Sequence, residues 1–289
     1  MAEQTILDGK YRLVRPAGSG GTARVYLAED TKTGERVAVK VLRRELLDDR
    51  DMKARFQREA SLLWQIDHPG IVKLLKFEER AKEGLLLVLE WIDGVRLDEL
   101  LLREQVSGAV RVELLAQLAS ALGAIHQNGI AHRDVKPDNA MVTGWPDAPR
   151  VKLLDFGIAR FTDPKEAALM FQTNINKVGG TPSYVSPEQA MGRAVTAASD
   201  VYSLGIVGYL LLSGELPFKG GHFDVLTAHL NDPPPPLVPL DDALSGHPAL
   251  QVVVQCLEKN PAKRPADGAA VEALLRAPKK KGLWPFTRP

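Results

Sequence analysis

Two periodicities divide the chain, and the change falls near residue 94. Before it, short apolar runs dominate. Residues 11–15, 24–28 and 36–42 are rich in Val, Leu and Tyr and predict strands. Gly18, Gly20 and Gly21 separate the first two, and Asp30-Thr31-Lys32-Thr33-Gly34 forms a turn by composition between the next two. Residues 52–65 carry Met52, Phe56, Ala60 and Leu63 on one helical face, so one helix interrupts the strands. Residues 71–77 and 85–91 predict two more strands.

After Gly94 helical spacing takes over. Residues 112–126 place Leu115, Leu118, Leu122 and Ile125 on one side and stop at Asn128-Gly129. Residues 140–143 and 151–154 predict a small hairpin. Further helices are expected over 199–213, 223–230, 249–257 and 271–275. Pro233 to Pro236 is a stiff connection that no helix crosses. The pattern predicts an α+β chain: a small antiparallel-sheet domain with one helix, then a larger helical domain, joined near Glu90 to Gly94.

Composition narrows the class. Apolar residues are 45% and charged residues 25% of 289, the balance of a globular protein, which excludes disorder of the whole chain. The net charge of +1 carries no field that calls for nucleic acid, so no such partner is expected. Residues 278–289 hold Lys279, Lys280, Lys281 and Arg288 and no acid; without them 33 cations face 36 acids, about −3. That tail also carries Trp284 and Phe286, a composition able to rest on an anionic membrane surface. Pro285 and Pro289 would keep such contact short, and a solvated tail is the alternative. Cys256 is alone, so neither an internal disulfide nor a cysteine metal site is open to it; a buried apolar role in a reducing compartment is expected. Residues 1–9 show no apolar leader. The uncharged stretch 201–214 is fourteen residues, short of the roughly 20 that span a bilayer, and reads as a buried helix. A cytoplasmic location is expected.

Three features carry chemistry. Gly18-Ser19-Gly20-Gly21 lies between two strands, where glycines let backbone N–H groups approach phosphate; a plain glycine hairpin is the alternative. In Val37-Ala38-Val39-Lys40 the valines share one face of a strand, and Ala38 and Lys40 share the other. Ala38 leaves space for a flat ring. Glu59 falls within the apolar arc of its helix, where a carboxylate needs a partner. Lys40 is one candidate; Arg55, four residues back, is the other. The third feature is Ala131-His132-Arg133-Asp134-Val135-Lys136-Pro137-Asp138-Asn139, a polar loop followed sixteen residues on by Asp155-Phe156-Gly157. Carboxylate and amide oxygens suit Mg²⁺, Asp134 can accept a proton, and Lys136 can neutralise a phosphoryl group.

These residues resemble the eukaryotic-like (Hanks-type) protein kinase family, and bacterial Ser/Thr kinases in particular. The glycine loop, Val-Ala-Val-Lys, His-Arg-Asp and Asp-Phe-Gly occur in the family's order, as do Gly180-Thr181-Pro182, Ser186-Pro187-Glu188, Asp200-Val201-Tyr202-Ser203-Leu204-Gly205 and Arg264. The likeness runs from about Lys10 to Leu275. It implies a two-lobed kinase domain over 10–277, with an N-lobe to 89, a hinge over 90–94 and a C-lobe from 95, flanked by a short extension and the tail. It implies ATP and Mg²⁺ as cofactors, with Mn²⁺ as a substitute, and protein Ser/Thr hydroxyls as acceptors.

By position, the resemblance assigns Lys40 to the α/β-phosphates with Glu59 as its orienting partner, and Asn139 and Asp155 to the metal. Asp134 would orient or deprotonate the acceptor hydroxyl, and Lys136 would sit on the γ-phosphate. Gly18, Gly20 and Gly21 would cover the phosphates. Ala17, Val25, Ala38 and Met141 would sandwich adenine, with Leu89 as gatekeeper and the backbone of Glu90 and Ile92 at the hinge. Leu63, Leu74, His132 and Phe156 would stack between the lobes. Glu188 would pair with Arg264, and Asp200 would brace the catalytic loop. Lys136 and the platform residue Thr181 resemble the Ser/Thr rather than the tyrosine branch. Thr173, and secondarily Thr162, would accept an activating phosphate that pairs with Arg133, with self-association serving trans-autophosphorylation. The chain departs from the pattern at Ala23 (the third glycine), at Ser186 and in the proline-containing turn 144–149; none removes a catalytic group. Two other classes remain at this level: an inactive pseudokinase scaffold, and a small-molecule phosphotransferase of kinase-like fold.

Overall fold

The leucine- and valine-rich runs of the first ninety residues close into one antiparallel sheet. The computed structural model describes residues 6–7, 9–80, 84–155 and 182–277. Strands β1 (Ile6–Leu7), β2 (Tyr11–Ser19), β3 (Ala23–Asp30), β4 (Arg36–Leu42), β5 (Leu74–Arg80) and β6 (Gly84–Glu90) pair in the order β1-β2-β3-β4-β6-β5. Alternation sorts the two faces of β4. Val37 and Val39 join Tyr11, Ala28, Leu86 and Val88 in a small cluster, while Leu42 faces the main core. Helix α1 (Arg50–Gln65) covers that second face through Phe56, Ala60 and Leu63; Asp49 caps it by accepting from Asp51 N at 2.9 Å and Met52 N at 3.1 Å.

Strand β7 (Val95–Arg96) follows the connection, then α2 (Leu97–Arg103) and α3 (Gly108–Gln127). The hairpin β8 (Ala140–Thr143) and β9 (Arg150–Leu153) completes a second sheet in the order β7-β8-β9. The C-terminal lobe then adds α4 (Pro187–Ala190), α5 (Ala197–Ser213), α6 (His222–Asn231), α7 (Pro248–Cys256) and α8 (Gly268–Arg276). Helix α5 is apolar almost all round and correspondingly buried. Glycines set its spacing: a Cβ at Gly208 would meet Val253 Cγ2 at 2.7 Å, and one at Gly205 would meet Cys256 Cβ at 2.8 Å. Helix α3 alone among the described residues is long and apolar enough to cross a bilayer, yet most of it is buried, packed on α5 and α8. Cys256 lies in the core, where burial pushes its thiol up to about 12.

The elements expected from periodicity form, with instructive shifts. Residues 71–77 were expected as one strand, but pairing starts at Leu74, opposite Leu89. Ile71 instead bridges Leu153 in parallel, and Val72 N donates to Leu153 O at 3.0 Å. The apolar run is thus split between two sheets, a division only the partners decide. Helices α2 and α4 escape periodicity because they run for seven and four residues. The second carries a local signal that was not read: Ser186 and Gln189 form a capping box with Pro187 at the first helical position.

Candidate active site

Lys40 stands mid-strand on β4, paired across the sheet with Val25 and Leu87. Its Nζ lies 2.6 Å from Glu59 Oε1 on α1 and 2.8 Å from Asp155 Oδ1 just beyond β9. One ammonium therefore ties sheet, helix and C-terminal lobe. Burial works against its charge, but the Asp155 and Glu59 carboxylates win and raise its pKa. Lys40 in turn holds Asp155 below the usual carboxylate range. Glu59 is raised, because burial and the neighbouring Asp155 outweigh its share of the lysine. The alternative of Glu59 serving a surface pair with Arg55 is not what forms: Glu59 is 2% exposed and on Lys40.

The loop after α3 is held by backbone capture. Asp200, buried on α5, accepts from His132 N at 2.6 Å and Arg133 N at 2.8 Å, and from His126 Nε2 at 3.0 Å. His126 Nδ1 accepts from Gly268 N at 3.0 Å, so the proton sits on Nε2 and points at Asp200. Arg133 adopts φ +71°, a left-handed conformation that a non-glycine residue keeps only under constraint. Besides Asp200, Gln189 supplies that constraint, its Nε2 donating to Arg133 O at 3.0 Å. His132 donates through Nε2 to Leu154 O at 2.9 Å.

Asp134 is thereby presented beside its neighbours. Lys136 Nζ lies 2.9 Å from Asp134 Oδ2, and Asn139 Nδ2 donates to the same oxygen at 2.9 Å and to Asp134 O at 2.8 Å. Leu154 N donates to Asn139 O at 2.7 Å, which sets Asp155 next to this loop. Asp155 itself has φ +34°. Among the described residues, Asn139 Oδ1 and Asp155 Oδ2 have no partner, so two hard oxygens remain for a cation. No group of three His, Cys, Asp or Glu that could hold a metal occurs among the described residues. A donor set this sparse fits magnesium, which keeps waters and phosphate oxygens for its other positions.

Above Lys40, Gly18, Gly20 and Gly21 are exposed at the β2–β3 turn, with Gly20 N donating to Ala23 O at 2.9 Å. Nothing lies within 4 Å of a Cβ built on Gly21, so that backbone is approachable. Arg43 tethers the turn, donating to Gly20 O and Ser19 Oγ, both at 3.0 Å. Ala17 is exposed, Val25, Ala38 and Met141 are half-buried, and Leu89 and Ile92 are buried. Ala38 and Leu89 pair across β4 and β6. Glu90 N is spent on Lys73 O at 3.0 Å, and its carboxylate takes Lys152 at 2.6 Å. Arg264 meets Glu188 with two bonds at 2.7 and 3.1 Å; burial raises that carboxyl, but Arg264 and Ser199 bring it net below its ordinary range. Phe156, Thr162, Thr173 and Thr181 lie outside the described residues.

Sequence reasoning missed Arg43 and Gln189. The Ser186-x-x-Gln189 cap was the one available signal for the latter. Nothing local pointed from Arg43 to the glycine turn 23 residues earlier.

Residues 11–277 match the family model described as the protein kinase domain. The chain is 41% identical over 277 residues to serine/threonine-protein kinase pkn2 of Myxococcus xanthus, covering 95% of this chain and 33% of that protein. It is 39% identical over 287 residues to serine/threonine-protein kinase PknA of Mycobacterium tuberculosis, covering 94% and 64%. The chain thus spans a third to two thirds of the length of these relatives. Among solved structures, a mutant of the Mycobacterium tuberculosis PknI kinase domain aligns with a TM-score of 0.68 at 24% identity, covering 95% of this chain and 98% of that one, a likeness of fold.

Proposed function

The chain belongs to the protein kinase family, and from that premise we propose that it transfers the γ-phosphoryl group of ATP to Ser and Thr hydroxyls of proteins. The family uses ATP and a divalent metal ion. The observation that carries the reading is Lys40, held between Glu59 at 2.6 Å and Asp155 at 2.8 Å, beside the Asp134–Lys136–Asn139 cluster.

In this reading Lys40 binds the α/β-phosphates, and Glu59 fixes its direction. The Gly18–Gly21 turn lays backbone N–H groups over the phosphates. Ala17, Val25, Ala38 and Met141 enclose adenine, Leu89 closes the back, and Glu90 and Ile92 offer backbone groups at the edge. Asn139 and Asp155 would hold magnesium, or manganese in its place, which would supply neutralisation of phosphate charge. Asp134 orients the incoming hydroxyl and takes its proton. Lys136, 2.9 Å from that carboxylate, stabilises charge on the group in flight. Little covalent chemistry falls to the protein: positioning and charge neutralisation carry the rate. Thr173 receives an activating phosphate from a second copy of the chain; its charge of about −1.5 to −2 pairs with Arg133.

Radiolabel transfer from ATP to a generic basic protein, with magnesium supplied and an Asp134→Asn control, tests the reading. Transfer by the parent chain and its loss in the control are expected. Absence of transfer by the parent chain, with nucleotide still bound, would make it a scaffold instead.

A further inference from the structure

Arg111, in the first turn of α3, is 6% exposed and far from balanced. Its Nε donates to Val106 O at 2.8 Å and its Nη1 to Leu211 O at 2.9 Å, both uncharged acceptors. Among the described residues it forms no ion pair, and its Nη2 has no partner. Burial pushes its pKa down, and only Asp241 pushes back, from beyond contact. Asp241 is already engaged: Oδ2 accepts from Gly108 N at 2.7 Å and Oδ1 from Ala243 N at 2.9 Å. Arg264, the buried arginine of the same lobe, has Glu188 in a two-pronged contact. A buried cation without a contact counter-ion is costly, and the cost falls when an anion is supplied.

A cavity of about 300 Å³ opens beside Arg111, walled by Leu101 of α2, Leu210 and Ser213 of α5, and then Gly214, Glu215 and Leu240. Its other polar walls are committed. Ser213 Oγ donates to Tyr209 O at 2.8 Å, and Glu215 pairs with Lys219 at 2.6 Å. The guanidinium is therefore the polar group left to meet a ligand, and the leucines are the surface left to cover. At roughly 30 Å³ per water-sized volume, the space suits a molecule of about ten non-hydrogen atoms.

We propose that this cavity is a binding site for a small aliphatic carboxylate, its carboxylate on the Arg111 guanidinium and its chain laid on Leu101, Leu210 and Leu240. The Nη2 that has no partner can give a carboxylate a charge-assisted hydrogen bond, and the wall's other charged group, Glu215, is paired with Lys219. None of these residues belongs to the Lys40–Asp134–Asp155 cluster, so the site stands whether or not the chain transfers phosphate.

The test is titration of the full chain with octanoate, followed by calorimetry and by amide chemical shifts at Ser213 and Gly214. Octanol and octylamine serve as probes that keep the chain and change the head group. Leu240→Glu sets a like charge at the rim; Leu240 is 61% exposed, so this variant keeps its fold, checked by an unchanged melting curve. Expected are saturable octanoate binding with shifts centred on Ser213 and Gly214, no comparable binding of octylamine, and about tenfold weaker octanoate binding in Leu240→Glu. Octanol binding as tightly as octanoate, an unchanged octanoate affinity in Leu240→Glu, shifts centred elsewhere, or no binding at millimolar octanoate would each overturn the proposal.

Discussion

Replacing Lys40 separates the site's chemistry from its contribution to stability. In Lys40→Met the ammonium shared by Glu59 and Asp155 disappears. Glu59 is 2% exposed, so its carboxylate is left buried without a cation. Removing one partner of such a pair costs about 3–5 kcal/mol. Glu59 can lower that cost by taking up a proton, and its pKa is already raised. The double variant Lys40→Met/Glu59→Met removes the buried charge as well, leaving only the half-exposed Asp155 carboxylate without the ammonium, and is expected to recover most of that loss, because replacing both buried partners by apolar groups of similar shape is nearly neutral. Transfer behaves differently. Both variants lack the cation proposed to meet the phosphates, and loss of such charge stabilisation costs on the order of 10²-fold or more. Urea unfolding and radiolabel transfer, run on the parent chain and both variants, give the two readouts. Stability should return in the double variant while transfer stays lost. Retention of more than a tenth of parental turnover in Lys40→Met would refute the assignment, and a double variant as unstable as the single would refute the energetic account.

Three other outcomes follow from buried groups. His229 is fully buried, and burial together with the Lys259 cation lowers its pKa from 6.5 to about 4. The folded chain therefore binds this proton less tightly than the unfolded one; the stability involved is intact above about pH 6.5 and falls as pH drops toward 4, by roughly 3 kcal/mol at most. Urea midpoints across that range should fall less steeply in His229→Gln, and parallel curves would count against it. Cys256, its thiol raised to about 12, should react with a thiol reagent at pH 8 only as fast as the chain unfolds; stoichiometric labelling of native protein within minutes would contradict this. Asp200→Asn turns an acceptor of three hydrogen bonds partly into a donor, and misplacement of His132 and Arg133 should cost transfer about 10²-fold. Turnover within threefold of the parent chain would show that the loop holds its shape without the carboxylate.

What could be read from the residues alone was whatever rests on local spacing. Strand alternation put Lys40 and Ala38 on the face opposite Val37 and Val39, and helical spacing put Glu59 inside an apolar arc. That arithmetic left two partners for Glu59, and the sheet–helix packing selects Lys40 at 2.6 Å. Strand β4, with its bounds at Arg36 and Leu42, coincides with its apolar run because neighbours pair along its whole length. Residues 71–77 do not, because Ile71 and Leu74 pair with different strands. The contact of Lys40 with Asp155 spans 115 residues and that of Arg43 with Ser19 spans 24, and no periodicity encodes either. Seven residues of α2 are too few to display a 3.6-residue repeat, even with Leu97 and Leu100 buried on one side.

Among the described residues, two non-glycine residues have positive φ, Arg133 and Asp155, and they flank the cluster they serve. Such conformations cost of order 1–3 kcal/mol each and persist only when the surroundings over-determine them. At Arg133 the surroundings are explicit: Asp200 takes its N–H, Gln189 takes its carbonyl, and Gln189 is itself fixed by the Ser186 cap. Asp200 is oriented in turn by His126, which is pinned by the first N–H of α8. At Asp155 the preceding residue donates its N–H to Asn139 O and accepts His132 on its carbonyl, while Lys40 holds the carboxylate. The strain is therefore sustained by donors and acceptors drawn from α3, α4, α5, α8 and β4. Two loops held by five elements are set in shape by the fold itself, and such rigidity suits a reaction driven by positioning.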